Sequence, residues 1–194
     1  MTSSFPVALH LEGKACLVVG CGLEARDRAR ALHEVGARVA IVAEAPCVEL
    51  EALARELGLT LARRGFVPAD LEEKWLVVLV DRDLELGARM AALCEAERVL
   101  FCATDQAQAN SFSHMALARA GLVTVAIGTN GRAPALGRRL REELTRLFAE
   151  SGLAAFAERL ARLREATPAE KRREVLSAAV SEVRVEGRLK LERE

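Results

Sequence analysis

Gly20-Cys21-Gly22-Leu23-Glu24-Ala25 is the stretch whose residue types and spacing point most directly to chemistry. It satisfies G-x-G-x-x-G/A between an apolar run, Ala15 to Val19, and a helix-patterned segment. Gly20 permits a tight turn, Gly22 lets the backbone approach a pyrophosphate, and small Ala25 lets the helix lie close to the strand. The first N–H groups of such a helix are unpaired and carry the positive end of its dipole, so a diphosphate sits there without a dedicated Lys or Arg. Gly-rich turns of this kind also occur as plain structure, and context separates the two readings. A second strand pattern, Arg38 to Ala43, ends at Glu44, close to the place about 20 residues on where an acid binds the ribose. Its carboxylate would accept from a ribose 2′-hydroxyl and repel a 2′-phosphate, which favours NAD over NADP.

Other candidates lie after later strand patterns, where open α/β sheets bind their ligands. Asp81 follows Trp75 to Val80, and Asp105 follows Val99 to Ala103. Either acid could contact a cofactor or move a proton, and either could be an ordinary loop or helix-cap residue. Arg132, Arg138, Arg139 and Arg141 follow the Gly128-Thr129-Asn130-Gly131 cluster and open a helix. They suit a polycarboxylate, bound through paired hydrogen bonds, or equally a solvated helix face with Glu142 and Glu143 as partners. His114, a little past Asp105, could join a site there. No H-E-x-x-H, C-x-x-C or acidic calcium loop is present, so no resident metal is expected.

The elements that must position these residues alternate along the chain. Short β-branched runs near 14–19, 38–43, 59–63, 75–80, 99–103 and 122–127 alternate with helix-patterned stretches near 22–35, 46–57, 84–97 and 110–120. This alternation is the signature of an α/β fold with a parallel sheet, and strands apolar on both faces imply helices on both sides. After Ile127 helices take over: one from Pro134 to Phe148, then a stripe of Leu153, Phe156, Leu160 and Leu163. That stripe must pack on the sheet domain or on a second copy, which makes a homodimer a natural expectation. Thr167 with Pro168 behind it reads as the cap of a further helix to about Ala179. Val183 to Leu191 alternates apolar and charged residues and fits a short hairpin or a frayed tail.

Composition excludes several classes. The 194 residues hold 28 basic and 28 acidic side chains, so zero net charge gives no global pull toward nucleic acid or an anionic membrane. Five widely spaced cysteines, Cys16, Cys21, Cys47, Cys94 and Cys102, read as reduced thiols. Cys16 and Cys102 fall inside strand patterns as small hydrophobes, whereas Cys21 sits in the phosphate turn with no visible base beside it. Met1 to His10 lacks the pattern of a secretory signal and no apolar run is long enough to span a bilayer, so a soluble, cytoplasmic protein is expected.

Several motifs taken in order carry a family resemblance. Phe5-Pro6 and a Leu-x-Gly-Lys lead into Cys16 to Gly22, and Gly36-Ala37-Arg38-Val39 enters the second strand. Phe101-Cys102-Ala103-Thr104-Asp105 and Ser111-Phe112 follow, then Ala126 to Pro134 and Leu140-Arg141-Glu142. From about residue 5 to 165 this resembles the precorrin-2 dehydrogenase/sirohydrochlorin ferrochelatase family, the N-terminal module of siroheme synthase. The resemblance implies a Rossmann-type NAD-binding domain at 1–120, a dimerisation region at 121–150 and a helical C-terminal region at 151–194, in a homodimer. It implies NAD-dependent oxidation of precorrin-2 to sirohydrochlorin in siroheme or cobalamin synthesis. In bifunctional members, ferrous iron is then inserted as a second substrate. The methyltransferase domain of some members does not fit this length. Position by position, it places nucleotide contacts at Cys21, Gly22, Leu23, Glu24, Glu44 and Ala45, and the general base at Asp105. Arg132 and Arg138 then become candidates to hold carboxylates of the tetrapyrrole. Departures from the family pattern fall at Cys21, Asp81, Cys102, Ala107, Met115 and Gly128-Thr129. They keep open an alternative from another class: a nucleotide-binding regulatory module that has the fold without the chemistry.

Overall fold

The structure is a computed structural model that describes residues 4–186. It divides into two units, one up to His114 and one from Met115 onward. The break between these compact units falls after His114, six residues before the domain boundary at 120 that the resemblance implies.

The first unit is built by five parallel strands, β1 (Ala15–Val19), β2 (Arg38–Val42), β3 (Thr60–Ala62), β4 (Leu76–Leu79) and β5 (Leu100–Ala103). Helices α1 (Gly22–Glu34), α2 (Val48–Glu56) and α3 (Leu84–Ala96) join β1 to β2, β2 to β3 and β4 to β5, a 3-10 turn at Pro68–Leu71 lies between β3 and β4, and the sheet order is β3-β2-β1-β4-β5. The chain winds outward from β1 through β3, then returns to the other side of β1 with β4. The strand order thus reverses beside β1, the place where doubly wound sheets open a crevice at their carboxyl ends.

Register explains why the strands are apolar on both faces. Cys16 pairs with Val39 and Leu76, and Val18 with Ile41 and Val78. These residues share a core with Ala25, Ala29 and Leu32 of α1 and Leu50, Leu53 and Ala54 of α2. The alternate positions Leu17, Val19, Val42, Val77, Leu79 and Phe101 pack against Met90 and Cys94 of α3. Cys16 and Cys102 are buried as read from the strand pattern, and burial pushes both thiols up to about 11.

β5 is an edge strand, and side chains complete its ladder. Asn110 Oδ1 accepts from the Ala103 N–H at 2.6 Å and its Nδ2 donates to Ala103 O at 3.1 Å. Ser111 N–H donates to Phe101 O at 2.9 Å while Ser111 Oγ accepts from Phe101 N–H at 2.8 Å. Unpaired edge groups that would recruit another strand are satisfied in this way.

The region 110–120, expected as a helix, is not one. Residues Ala107–Ala109 form a single 3-10 turn, and β6 (Ala116–Ala120) pairs antiparallel with β7 (Val123–Ile127) across Gly121 at φ 54°. Ala-Leu-Ala-Arg-Ala has high helix propensity, but Ala118 and Ala120 are buried while Leu117 and Arg119 are exposed, a period of two. Tertiary pairing overrides the weaker local preference. By the same finding the segment 122–127 is half of a separate two-stranded sheet, not a sixth parallel strand.

The second unit continues with α4 (Pro134–Ser151), α5 (Leu153–Ala166) and α6 (Arg172–Ala179), α6 being preceded by a 3-10 turn at Ala169–Lys171. α4 packs on β6, and α5 on β7 and α4. Gly152, at φ 68°, ends one long helix and starts the next. Thr167, expected to cap the last helix, instead closes α5: its hydroxyl donates to Leu163 O at 2.6 Å. The part of the alternating tail after residue 186 lies outside the described residues.

Candidate active site

The phosphate turn occupies the switch point. Gly20 N–H donates to Val42 O of β2 and Val80 N–H donates to Val19 O of β1, each at 2.9 Å. Gly20 has φ 122°, and a Cβ on it would stand 2.6 Å from Val80 Cγ2 and 3.2 Å from Asp81 N. Only glycine fits between these strand ends. Gly22 has φ 81°, with nothing within 4 Å of the space a Cβ would fill. Its backbone therefore faces open room.

Cys21 takes the N-cap position of α1 in extended geometry and its side chain makes no capping bond. The first N–H groups of a 13-residue helix are left without a side-chain acceptor, and Ala25 behind them is fully buried against the sheet. The residues present fit a dinucleotide: a cradle open at Gly22 and an uncapped dipole end aimed into it.

The neighbouring contacts are more divided. Cys21 and Leu23 are exposed at the turn. The Glu24 carboxylate is turned to one side, where Oε1 accepts from Thr104 Oγ1 at 2.9 Å and pairs with Arg28 Nη2 at 3.3 Å. What Glu24 offers the crevice is its backbone N–H. Glu44 and Ala45 are exposed just past β2. Glu44 Oε1 lies over Gly65, only 2.7 Å from where a Cβ there would be. Gly65 therefore makes room for the acid, a pairing across the β2 and β3 ends that no local spacing announces.

The two strand-ending acids have different fates. Asp81 accepts from Asp83 N–H at 3.0 Å, and Asp83 caps α3 by accepting from the N–H groups of Glu85 and Leu86. Asp105 is exposed, sits in the left-handed region at φ 59°, and receives Arg82 Nε on Oδ2 at 3.1 Å. Left-handed backbone is costly for a residue other than glycine and persists where its surroundings over-determine it. Thr104 on one side is tied to β4 by its N–H to Leu79 O at 2.9 Å and to α1 through Glu24. On the other side Gln106 is buried and its Nε2 donates to the carbonyls of Asp81 and Asp83. Arg82, Thr104 and Gln106 are the site residues that sequence reasoning left without a role.

His114 packs edge-on against Phe112, with ring centroids 5.3 Å apart. Crowding by the surrounding chain, and next the charge of Arg28, hold its imidazole down at about 4 although the residue keeps solvent contact. It is therefore neutral at pH 7 and offers a hydrogen-bonding group, not a cation. Arg132 and Arg138 belong to the second unit, Arg132 closing the turn that contains Gly131 at φ 71° and Arg138 at the fifth residue of α4. Arg139 pairs with Glu142 and Glu143, and Arg141 with Glu142. Two of the four arginines thus have the helix-face partners that the sequence offered as their alternative. Among the described residues, no group of three or more His, Cys, Asp or Glu side chains is placed to hold a metal, and no helix is long and apolar enough to cross a membrane.

A family model described as "Putative NAD(P)-binding" matches residues 7–116. The siroheme synthase of Thioalkalivibrio sulfidiphilus (strain HL-EbGR7) is 34% identical over 161 residues, 83% of this chain and 32% of that protein. The siroheme synthase of Edwardsiella ictaluri (strain 93-146) is 36% identical over 145 residues, 74% of this chain and 31% of that protein. The chain thus spans about a third of the length of these curated relatives. Among solved structures, SirC, a precorrin-2 dehydrogenase, superposes with a TM-score of 0.75 at 22% identity, covering 92% of this chain and 90% of that one. At that identity the likeness is one of fold.

Proposed function

The chain belongs to this NAD(P)-binding family, and we propose that it oxidises precorrin-2 to sirohydrochlorin with NAD+. The observation that carries this reading is the shared edge of the sheet. The uncapped start of α1, behind Gly20 and Gly22, and Asp105, at the end of β5, both lie at the carboxyl ends of strands around the switch point. The nicotinamide, when bound, supplies the hydride acceptor. Asp105 would take the ring proton released as the hydride leaves, and Arg82 would keep its carboxylate turned toward the crevice. Arg132 and Arg138 would hold acid groups of the tetrapyrrole, a role that charge-neutral replacements with unchanged substrate affinity would refute.

Incubation with precorrin-2 and NAD+ should raise NADH absorbance. No turnover with NAD+ still bound would favour the regulatory module in place of the enzyme. Ferrous iron would be a second substrate of the same cleft, to be tested by chelation of sirohydrochlorin, with cobaltous ion as the comparison.

The preference for NAD over NADP rests on Glu44, whose carboxylate is folded against Gly65 where a ribose would lie. Glu44→Gln should narrow the preference by about tenfold, read as the ratio of kcat/KM for the two cofactors. An unchanged ratio would remove Glu44 from the role. The regions at 121–150 and 151–194 would supply the contact between two copies, as a dimerisation region with helices beside it.

A further inference from the structure

We propose that Gln106, seated over Gly87, is a positioning residue that sets Asp105 against Arg82 for proton transfer, an inference that rests on the oxidation proposed above. Gln106 retains only 9% of its surface although it follows an exposed acid. A buried primary amide needs partners for its donors. Nε2 finds them in Asp81 O at 3.1 Å and Asp83 O at 3.2 Å, the carbonyls on either side of Arg82. One side chain from the β5 loop therefore holds the β4 loop at two points, and the residue between those points is the partner of Asp105.

Gly87 supplies the room. It lies within α3, where glycine weakens a helix, and its backbone is not in the left-handed region that would otherwise call for glycine. A Cβ at this position would stand 1.8 Å from Gln106 Oε1 and 2.7 Å from its Cδ. No side chain larger than hydrogen is compatible with the Gln106 amide in place. The backbone of Gln106 is anchored as well, with Ala109 N–H donating to its carbonyl at 2.9 Å. The lock therefore constrains three things together: the left-handed turn at Asp105, the loop that presents Arg82, and the distance between the two.

Without the amide donors, Asp81 O loses the bond from Gln106, Asp83 O keeps only the one from Gly87 N–H at 3.0 Å, and the two loops lose their common reference. A proton acceptor misplaced by about 1 Å costs on the order of 10²-fold in rate. Gln106→Met keeps the length of the side chain and removes the donors, whereas Gly87→Ala keeps the donors and displaces them. Each should lower kcat with precorrin-2 about 10²-fold. The NAD+ dissociation constant, measured by calorimetry, should stay unchanged, because neither substitution touches the turn at Gly20 and Gly22. Hydrogen–deuterium exchange should quicken in segments 81–86 and 104–110 of each variant and stay as before in β1 and α1. Gln106→Met placed on top of Asp105→Asn should cause no further loss, since it acts through that carboxylate.

Undiminished kcat in Gln106→Met, or unchanged exchange in those segments, overturns the positioning role while the oxidation stands. Absence of turnover in the unmodified chain, with faster exchange in the variant, leaves Gln106 a purely structural lock and overturns both the oxidation and the role in it.

Discussion

On the proposed reading Asp105 carries the largest functional consequence of any side chain, and its surroundings define what a substitution should do. Asp105→Asn preserves shape at φ 59° while removing the charge that Arg82 meets and the site that would receive a proton. Loss of a general base costs about 10²–10⁴-fold in rate, so kcat should fall by that order with NAD+ affinity retained. Near-normal NADH formation in the variant would refute the role. The exposed Arg82–Asp105 pair contributes little to stability, so the folded fraction should not follow the rate. His114 makes a prediction of the opposite kind. Its folded value, about 4, lies below its ordinary 6.5. Between those values the unfolded chain holds more protons than the folded one, so stability declines as pH falls from 6.5 through 4. Solvent contact screens the effect and keeps it small. His114→Gln should flatten that part of the melting temperature–pH curve, and an unaltered curve would place the titration elsewhere.

Between elements, the organising feature is that loops after separate strands are tied to one another. Glu24 of α1 holds Thr104 after β5, Gln106 holds the β4 loop, and Asn110 completes the edge of β5. Asn110→Ala would strip the Ala103 N–H of its side-chain acceptor and leave the Ala103 carbonyl only the Gln106 N–H at 3.4 Å. Leaving the N–H unsatisfied costs about 1–3 kcal/mol, and an open edge invites intermolecular pairing. The variant should unfold at lower urea and scatter more light at high concentration; unchanged behaviour in both would mean that another segment covers the edge. These ties also separate what could be read from sequence from what could not. β1, β4 and β5 were legible because burial on both faces makes each a continuous apolar run, β2 and β3 because short β-branched runs alternate with helix patterns, and Gly20 and Gly22 because their spacing encodes a turn. The helix expected at 110–120 failed because alanine is a strong helix former and the pairing of β6 with β7 is decided across Gly121, not locally. Gln106 gave no signal at all. Its partners Asp81, Asp83 and Gly87 are remote in sequence and adjacent only once β4 and β5 pair in register.

For the molecule as a whole, the second unit poses the question of completeness. Within it Ala118, Ala120, Gly137 and Thr167 are buried, while Leu153, Phe156, Leu160 and Leu163 along α5 are only half-covered. Two strands and three helices with so few enclosed side chains have little apolar burial to set against their conformational entropy. A second copy placed on the half-covered faces would supply that burial symmetrically, and this is the reason for proposing a homodimer through the second unit. The first unit has no such need, since α1, α2 and α3 already cover both faces of its sheet. The two units should therefore respond differently to one change. Phe156→Glu puts a charge on the α5 stripe, and sedimentation should show a dimer become a monomer. The melting of the second unit should shift to lower temperature and lose the dependence on protein concentration that a dimer shows. NAD+ binding, which the reading assigns to the first unit, should persist in that monomer. A monomeric unmodified chain, or a variant that stays dimeric, would break this account and leave the half-covered stripe to some other partner.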